Sequence, residues 1–420
     1  MTPALQTLAA ESGLARDFAV IAPDGARAAL WKVLVDVGLG DSDEYPLAYV
    51  GAYDLRRRHA LERGAGEAVE RFALAQRSAP DVRGALGALR AAAEHDVWWP
   101  RWVCADAFRT VPLDWYRATR LTDARPVLVP GAAIDDDGGR RRRSAGTDPA
   151  LFDPSPSGAA AGLDAGSAVR AALLEVIERD AVLCAWRTGL GVSIIEPAGG
   201  DPDLDRLAAE AARIGLQPIF GEISGAVPGV RVICCAIVDR SGDEALTSFG
   251  AKASASGSAA ARGALQEALQ IHELLGNLRT RISRPAAFEQ PHPALVVDDV
   301  ARAWWWTTGS AAVSMEDWIA GWARTARHAA APDTAPTVEG LVAHIVRDGG
   351  SPLLVDLTLR LPQPIQALGW HAVKVVCPGY QQLRLDESID ETWDNDRLAA
   401  WARRHRRASP DTSILPHPLI

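Results

Sequence analysis

The sequence predicts an α+β fold with mixed sheets and packed helices. The chain has 420 residues, 48% of them hydrophobic, which is enough for a sizeable core in one large domain or two ordinary ones. Helical segments and strand-like runs alternate along it, but without the regular βαβ order of a doubly wound sheet. The glycine patterns of the P-loop and of dinucleotide-binding folds are both absent, which excludes the two commonest nucleotide sites.

The periodicity of apolar residues assigns each element in chain order. Helices are predicted at 55–76, within 77–97, at 165–186, at 258–277 and near 315–330. Strands are predicted at 126–134, 191–195, 215–223, 229–238, 351–360 and 371–380. Residues 29–40 fit a strand or a helix. Residues 135–158, with four consecutive arginines at 140–143, combine charge runs with Gly, Pro and Ser and are predicted to form an exposed loop.

Charge and cysteine content limit the functional classes. The formal net charge of -9 argues against nucleic acid as the main partner, because phosphate-binding surfaces are usually basic. No apolar run approaches the length of a membrane span, and the first residues lack the pattern of a secretory signal. The five cysteines are scattered without a CxxC pair, so we expect free thiols in a reducing, cytoplasmic setting.

Two helices carry the same acidic pattern, and a third resembles it. The segments 64–72 and 172–180 both contain Glu-x-x-Glu-Arg, while 264–272 contains Glu-x-x-Gln. On a helix, Glu175, Glu178 and Arg179 fall within an arc of about 100°. The rest of that helix is largely apolar, so the acidic stripe is buried or lines a cavity, where carboxylates need a cation. Magnesium together with phosphate groups would satisfy both charges.

Each of these patterns also has a structural explanation. Glu175 with Arg179, and Glu67 with Arg71, have the spacing of ordinary i,i+4 ion pairs on a helix surface. The tryptophans at 98, 99, 102 and 304–306 fit a peptide-binding groove, but core packing is the commoner role of Trp. It is the repetition of the acidic pattern on several helices that favours a ligand site.

The segment 155–181, SPSGAAAGLDAGSAVRAALLEVIERDA, resembles the signature of the YcaO family. The segments 59–72, 261–270 and 373–383 resemble other family motifs in the same order, and PHPLI at 416–420 is similar to the Pro-rich end of azoline-forming members. The resemblance implies a YcaO-type ATP-binding fold over residues 49–385, after a short segment 1–48 and before a tail 386–420. It departs at Arg63, where Ser is usual, and at Ser167, where an acidic residue is common.

The resemblance implies ATP and Mg²⁺ as cofactors and assigns residues to them. Five glutamates would lie at the magnesium or phosphate site: Glu67, Glu70, Glu175, Glu178 and Glu267. The residues that would contact the nucleotide are Arg71, Arg179, Ser157 and Gln270, with Arg262 and Lys374 as further candidates. Family members phosphorylate a peptide amide oxygen, which converts a poor leaving group into a good one.

The implied reaction is cyclodehydration of Cys, Ser or Thr to an azoline in a ribosomally made precursor peptide. Thioamide or amidine formation, and a non-catalytic scaffold in a modification complex, remain alternatives. The 48 residues before the domain are too few for the leader-binding domain that azoline formers use. We therefore expect a separate partner resembling ubiquitin-activating enzymes, and a homodimer is a further option.

Overall fold

The fold is derived from a computed structural model, which describes most of the chain. The described residues are 2–25, 30–38, 49–136, 152–153, 155–197, 199–224, 227–285, 292, 296–324, 336–405 and 415–420. The four arginines at 140–143 lie outside them. Within these ranges, no helix is both long enough and apolar enough to cross a membrane.

Three helices are much longer than the others and build the centre of the molecule. The helices are α1 (Pro3–Leu8), α2 (Arg57–Ala75), α3 (Leu86–Ala92), α4 (Ala165–Thr188), α5 (Pro202–Arg213), α6 (Gly257–Arg281), α7 (Asp299–Trp305), α8 (Gly309–Ala320), α9 (Val338–Arg347), α10 (Gln363–Ala367) and α11 (Asn395–Arg404). The side chain of Asp164 caps α4 and that of Ser256 caps α6, because each accepts a hydrogen bond from a backbone N–H of the first turn.

The strands form three separate sheets. They are β1 (Asp17–Ile21), β2 (Trp31–Asp36), β3 (Val50–Asp54), β4 (Val82–Ala85), β5 (Asp96–Val97), β6 (Pro112–Arg120), β7 (Pro126–Pro130), β8 (Ala159–Gly162), β9 (Val192–Ile194), β10 (Ile219–Ile223), β11 (Arg231–Asp239), β12 (Leu246–Ser254), β13 (Ala323–Arg324), β14 (Leu353–Asp356) and β15 (His371–Val376). The alternation of helices with antiparallel strands confirms the predicted α+β class.

Each sheet is predominantly or wholly antiparallel. The smallest has the order β1-β2-β3, and the second has the order β12-β11-β10-β9-β13 with one parallel pair, β9 with β13. The third has the order β5-β7-β6-β14-β15-β8, with β4 also paired to β6. Helix α4 packs against β8, β12 and β15, and α6 packs against β11 and β12. The long helices therefore join the sheets around one central space.

Some elements differ from those that the sequence predicts. The stretch 77–97 contains strand β4 before a short helix, because residues 82–85 pair with β6. The predicted strand 351–360 ends at Asp356 and continues as a 3₁₀ turn, and the predicted strand 371–380 ends at Val376. The helix predicted near 315–330 begins earlier and ends at Ala320. Residues 31–36, which fitted either state, form a strand.

Both ends of the described chain pack against its central part. Strand β2 pairs with β1 on one side and with β3 on the other, so these first two strands share a sheet with residues 50–54. Residues 415–420 lie against the core near Trp186, whose indole N–H donates to the carbonyl of Leu415 at 3.2 Å. The predicted boundaries at 48 and 386 thus separate segments that are in contact.

Trp304, Trp305 and Trp306 are buried in the largest hydrophobic cluster. Trp186 stacks edge-on against Trp306 and Trp318, with ring centroids 5.8 Å and 4.9 Å away. These contacts make the 304–306 tryptophans part of the core, which was the commoner of their two predicted roles. All five cysteines are free, and four of them are buried.

Candidate functional site

The three long helices bring the predicted glutamates to one cavity of about 470 Å³. Helix α2 contributes Glu67 and Glu70, α4 contributes Glu175 and Glu178, and α6 contributes Glu267. The cavity walls between them are made of small residues, including Ala159, Ala160 and Ala161 of β8. Small side chains leave space at the surface of β8, so a ligand can approach its backbone.

Strand β12 fixes two of these carboxylates. It is an edge strand, and the backbone N–H groups of Ala251 and Ala253 point away from its partner β11. Ala251 N–H donates to Glu267 Oε2 at 2.9 Å, and Ala253 N–H donates to Glu178 Oε2 at 2.6 Å. Gly250 allows this close approach, because a Cβ there would lie 2.3 Å from the carbonyl oxygen of Ala264. One oxygen of each carboxylate is left for a ligand.

The negative charges of the remaining glutamates are less well compensated by neighbouring groups. Glu70 has no hydrogen bond or ion pair with any residue in the described ranges. Burial, and then the charges of Glu67 and Glu175, raise its pKa well above the ordinary value. Burial likewise raises the pKa of Glu175 from 4.5 to about 7, although Arg179 opposes the change. Carboxylates held so close together require a cation to be fully ionised at neutral pH.

Two arginines lie in the cavity beside these glutamates. Arg71 donates to Glu67 Oε1 at 3.0 Å, and the charges of Glu67 and Glu70 raise its pKa against the effect of burial. Arg179 lies 3.5 Å from Glu175, too far for a good hydrogen bond, and its buried Nε has no hydrogen-bond partner in the described part of the chain. A buried guanidinium with an unused N–H is suited to an anionic ligand.

This set of donors fits a magnesium–nucleotide complex. Mg²⁺ prefers oxygen ligands and usually takes one or two carboxylates, with phosphate and water completing its shell. In the ranges described, no cluster of three or more Asp, Glu, His or Cys side chains is placed to hold a metal ion by itself. Carboxylates that are near each other but spread over three helices, with the Arg179 N–H unused, suit a metal that is shared with phosphate groups.

The other predicted nucleotide contacts do not all reach this cavity. Gln270 lines it, and its side-chain N–H donates to the carbonyl of Gly51 at 3.0 Å. Arg262 does not line it and instead pairs with Asp201 at 2.8 Å. Ser157 and Lys374 line a different cavity of about 20 Å³, room for about one water molecule.

Lys374 is held inside the protein. Its Nζ donates to the carbonyls of Ile134 and Ser155, the latter at 2.5 Å. Burial lowers its pKa to about 8, although the charges of Asp136 and Asp135 oppose this. Both acceptors are backbone carbonyls, which is a structural arrangement, and Lys374 does not line the glutamate cavity.

The residues of the glutamate cavity that were not assigned to the site from the sequence include Arg63, Lys252 and Ile420. Arg63 lies one helical turn before Glu67, so the i,i+4 spacing could have placed it on the acidic face. Lys252 belongs to β12 and has no local signal. Ile420 is brought in by the packing of residues 415–420, which sequence periodicity does not report.

The tryptophans at 98, 99 and 102 line a surface groove of about 700 Å³, near the start of β14 and the end of β15. Trp98 and Trp102 are half-buried there and Trp99 is buried, and Tyr380 and Trp393 complete its aromatic lining. Trp99 packs against Phe108 and Phe152 at 5.4 Å and 5.2 Å between ring centroids. This cluster therefore both packs a small core and borders an open groove, and it shares no residue with the glutamate cavity.

The fold and the cavity define a protein built to hold a hard cation together with an anion. The model of the YcaO family, described as a YcaO cyclodehydratase that binds ATP and Mg²⁺, matches residues 53–381. The chain belongs to the YcaO family. This match confirms the predicted family and, through the family description, ATP and Mg²⁺ as cofactors. No curated protein sequence matches the chain.

Solved structures support the same fold at low sequence identity. The YcaO protein of Methanopyrus kandleri, solved with AMPPCP and Mg²⁺, is 21% identical with a TM-score of 0.62, and the match covers 93% of both chains. A heterocyclase in complex with substrate and cofactor is 15% identical with a TM-score of 0.71, covering 100% of this chain and 57% of that one. The Escherichia coli microcin synthetase McbBCD complex with pro-MccB17 bound is 13% identical with a TM-score of 0.59, covering 86% and 88%.

Proposed function

We propose that this protein uses ATP and Mg²⁺ to activate backbone amides of a peptide, and that it forms azolines from Cys, Ser or Thr. The observation that carries the proposal is the convergence of five glutamates from three helices on one cavity that also contains arginines. Glu67, Glu70, Glu175, Glu178 and Glu267 would hold magnesium. Arg71, Arg179 and Gln270 would contact the nucleotide.

Bound ATP would supply the phosphoryl group that turns the amide oxygen into a leaving group. The task of the chain is then positioning and charge neutralisation. The carboxylates of Glu178 and Glu267 are fixed before any ligand binds, because β12 donates a hydrogen bond to one oxygen of each. The buried Nε of Arg179 beside them has no hydrogen-bond partner among the described residues. Preorganised groups of this kind need little rearrangement when charge develops on a phosphate.

Azoline formation is the product that we favour. Two of the similar structures are a heterocyclase bound to substrate and a microcin synthetase complex bound to its pro-peptide. Residues 415–420, which resemble the Pro-rich end of azoline formers, pack so that Ile420 lines the glutamate cavity. By the same analogy we propose a precursor peptide as substrate and a separate leader-binding protein as partner. Thioamide or amidine formation is the second candidate.

The first experiment measures ATP binding by the purified protein, with and without Mg²⁺, by calorimetry. Glu267→Gln should weaken Mg-dependent binding by roughly 10–100-fold, because it removes a charged metal ligand. Gln retains an oxygen that can accept the N–H of Ala251. The matched control is Glu316→Gln, because Glu316 is exposed and pairs with Arg240 on the surface, at 2.7 Å, outside the cavity. Absence of Mg-dependent ATP binding by the wild type would refute the proposal.

The product is then read by mass spectrometry of a candidate precursor peptide incubated with the protein, its partner and ATP. Loss of one water per modified residue supports azoline formation. Exchange of oxygen for sulfur indicates a thioamide, and loss of water without involvement of a Cys, Ser or Thr side chain indicates an amidine. Unmodified peptide in the presence of measured ATP binding would favour the scaffold alternative.

A further inference from the structure

Two cations of the glutamate cavity have side chains that make no hydrogen bond within the described residues. Lys252 Nζ makes no hydrogen bond to any residue of the described ranges. No carboxylate oxygen in those ranges lies within 4 Å of it. Within the described part of the chain, the only ion pair of Arg63 is to Asp54, at a long 3.8 Å. That carboxylate already accepts hydrogen bonds from the Gln266 side chain at 3.1 Å and from the backbone N–H of Arg56 at 3.0 Å.

These two cations share one part of the cavity. The charge of Glu178, followed by that of Glu267, raises the pKa of Lys252, whereas the positive charge of Arg63 lowers it. Desolvation lowers the pKa of Arg63, and Asp54, Glu67 and Glu267 oppose this. Both cations therefore interact electrostatically with Glu267, whose Oε2 already accepts a hydrogen bond from the N–H of Ala251. The N–H groups of both side chains, which make no hydrogen bond within the described residues, remain available to phosphate oxygens.

The position of Lys252 is built by its neighbours. It lies on β12 between Ala251 and Ala253, the two residues whose N–H groups hold Glu267 and Glu178. The stem of Lys252 passes over Gly263 of α6, where an added Cβ would lie only 2.8 Å from Lys252 Cγ. The absence of a side chain at 263 thus leaves the groove in which the lysine lies, and its ammonium group stays accessible from the cavity.

We propose that Lys252 and Arg63 form a phosphate-binding subsite that contacts the phosphate chain of the nucleotide directly, next to the magnesium held by the glutamates. This inference rests on the proposed function, since it assigns one end of the same cavity. An ammonium and a guanidinium with unused N–H groups are the donors that proteins employ for phosphate oxygens. The alternative is that Lys252 only neutralises Glu178 and Glu267.

The test compares binding of ATP and of inorganic tripolyphosphate, both with Mg²⁺, by wild type, Lys252→Met and Lys252→Arg. A charged hydrogen bond to phosphate predicts that Lys252→Met weakens both ligands by the same factor, roughly 10–150-fold. Lys252→Arg should restore most of the affinity. The control is Arg240→Met, which removes an exposed positive charge outside the cavity. Arg63→Met should weaken both ligands as well, by a smaller factor, because Asp54 competes for its charge.

Wild-type affinity of Lys252→Met for both ligands would overturn the subsite. A change in the thermal unfolding midpoint of Lys252→Met, without any change in affinity, would assign the lysine to charge neutralisation. The two proposals fail differently. If the wild type binds tripolyphosphate in a Lys252-dependent way but not ATP, the subsite stands and the ATP-dependent function falls. If the wild type binds neither ligand, both fall.

Discussion

Replacing Glu175 with Gln should stabilise the ligand-free protein at pH 8 while weakening its binding of Mg–ATP. Glu175 is largely buried, with 21% of its side chain exposed, and its pKa is raised from 4.5 to about 7. A carboxyl group with a raised pKa binds its proton more tightly in the folded state. Ionising it above pH 7 therefore costs folding free energy, and Gln, a neutral group of the same shape, avoids this cost.

The change in the pKa of Glu175 sets the magnitude of the stability difference between Glu175→Gln and wild type. A rise from 4.5 to about 7 corresponds to about 3 kcal/mol at pH 8, where the folded and unfolded carboxyls are both ionised. The stability of the wild type is highest below pH 4.5 with respect to this group, and it falls as the pH rises from 4.5 through 7. At pH 5 the difference between Glu175→Gln and wild type should shrink to below about 1 kcal/mol.

Urea unfolding at pH 5 and pH 8 measures the difference directly, with ATP binding measured on the same samples. We expect a higher unfolding midpoint for Glu175→Gln at pH 8, a small difference at pH 5, and weaker Mg–ATP binding at both. A glutamate with a purely structural role would behave in the opposite way, because its replacement would lower stability. Equal destabilisation of Glu175→Gln at pH 5 and pH 8 would show that ionising Glu175 does not cost folding free energy.

Two further predictions concern other buried carboxylates. Binding of Mg–ATP near pH 7 should release protons, because a cation lets Glu70 and Glu175 ionise. Calorimetry in buffers of different ionisation enthalpy measures the number of protons released. Identical binding heats in these buffers would contradict proton release. Glu387→Gln should lower the free energy of unfolding at pH 7 by about 3 kcal/mol, since it leaves buried Arg302 and Arg384 with one charged partner fewer. Despite the burial of Glu387, these arginines lower its pKa to about 2. The stabilisation that the Glu387 carboxylate contributes is therefore present above pH 4.5 and is lost as the pH falls towards 2. An unchanged urea midpoint of Glu387→Gln at pH 7 would contradict this stabilising role.

The acidic helices were predictable because their signal is local. Glu175, Glu178 and Arg179 share a helix face by spacing alone, and the apolar residues around them indicate burial. The sequence does not show that the three helices meet, since this depends on the packing of α4 and α6 against β12. Two of the glutamates are positioned by the N–H groups of Ala251 and Ala253, which are not used in strand pairing. These donors can be identified only once β12 is known to lie at a sheet edge.

Other residues lie outside the cavity, or line it without having been predicted, because their position depends on distant partners. Lys374 belongs to a family-like motif, but β15 pairs with β14 on one side and β8 on the other, and its side chain ends among carbonyls from residues 134 and 155. Lys252 enters the cavity only because Gly263 leaves a groove on α6. The strand at 82–85, predicted as part of a helical stretch, forms because β6 supplies a partner, which overrides local propensity.

The hydrogen bonds that β12 donates also give Glu178 and Glu267 a protective role. A sheet edge with open N–H groups is a template for pairing with another chain, and proteins commonly cover such edges. Here the candidate magnesium ligands are part of the cover. An alanine at either position would leave a buried N–H without an acceptor, at a cost of about 1–3 kcal/mol. The same two side chains would therefore serve ligand binding and satisfy the N–H groups of the sheet edge.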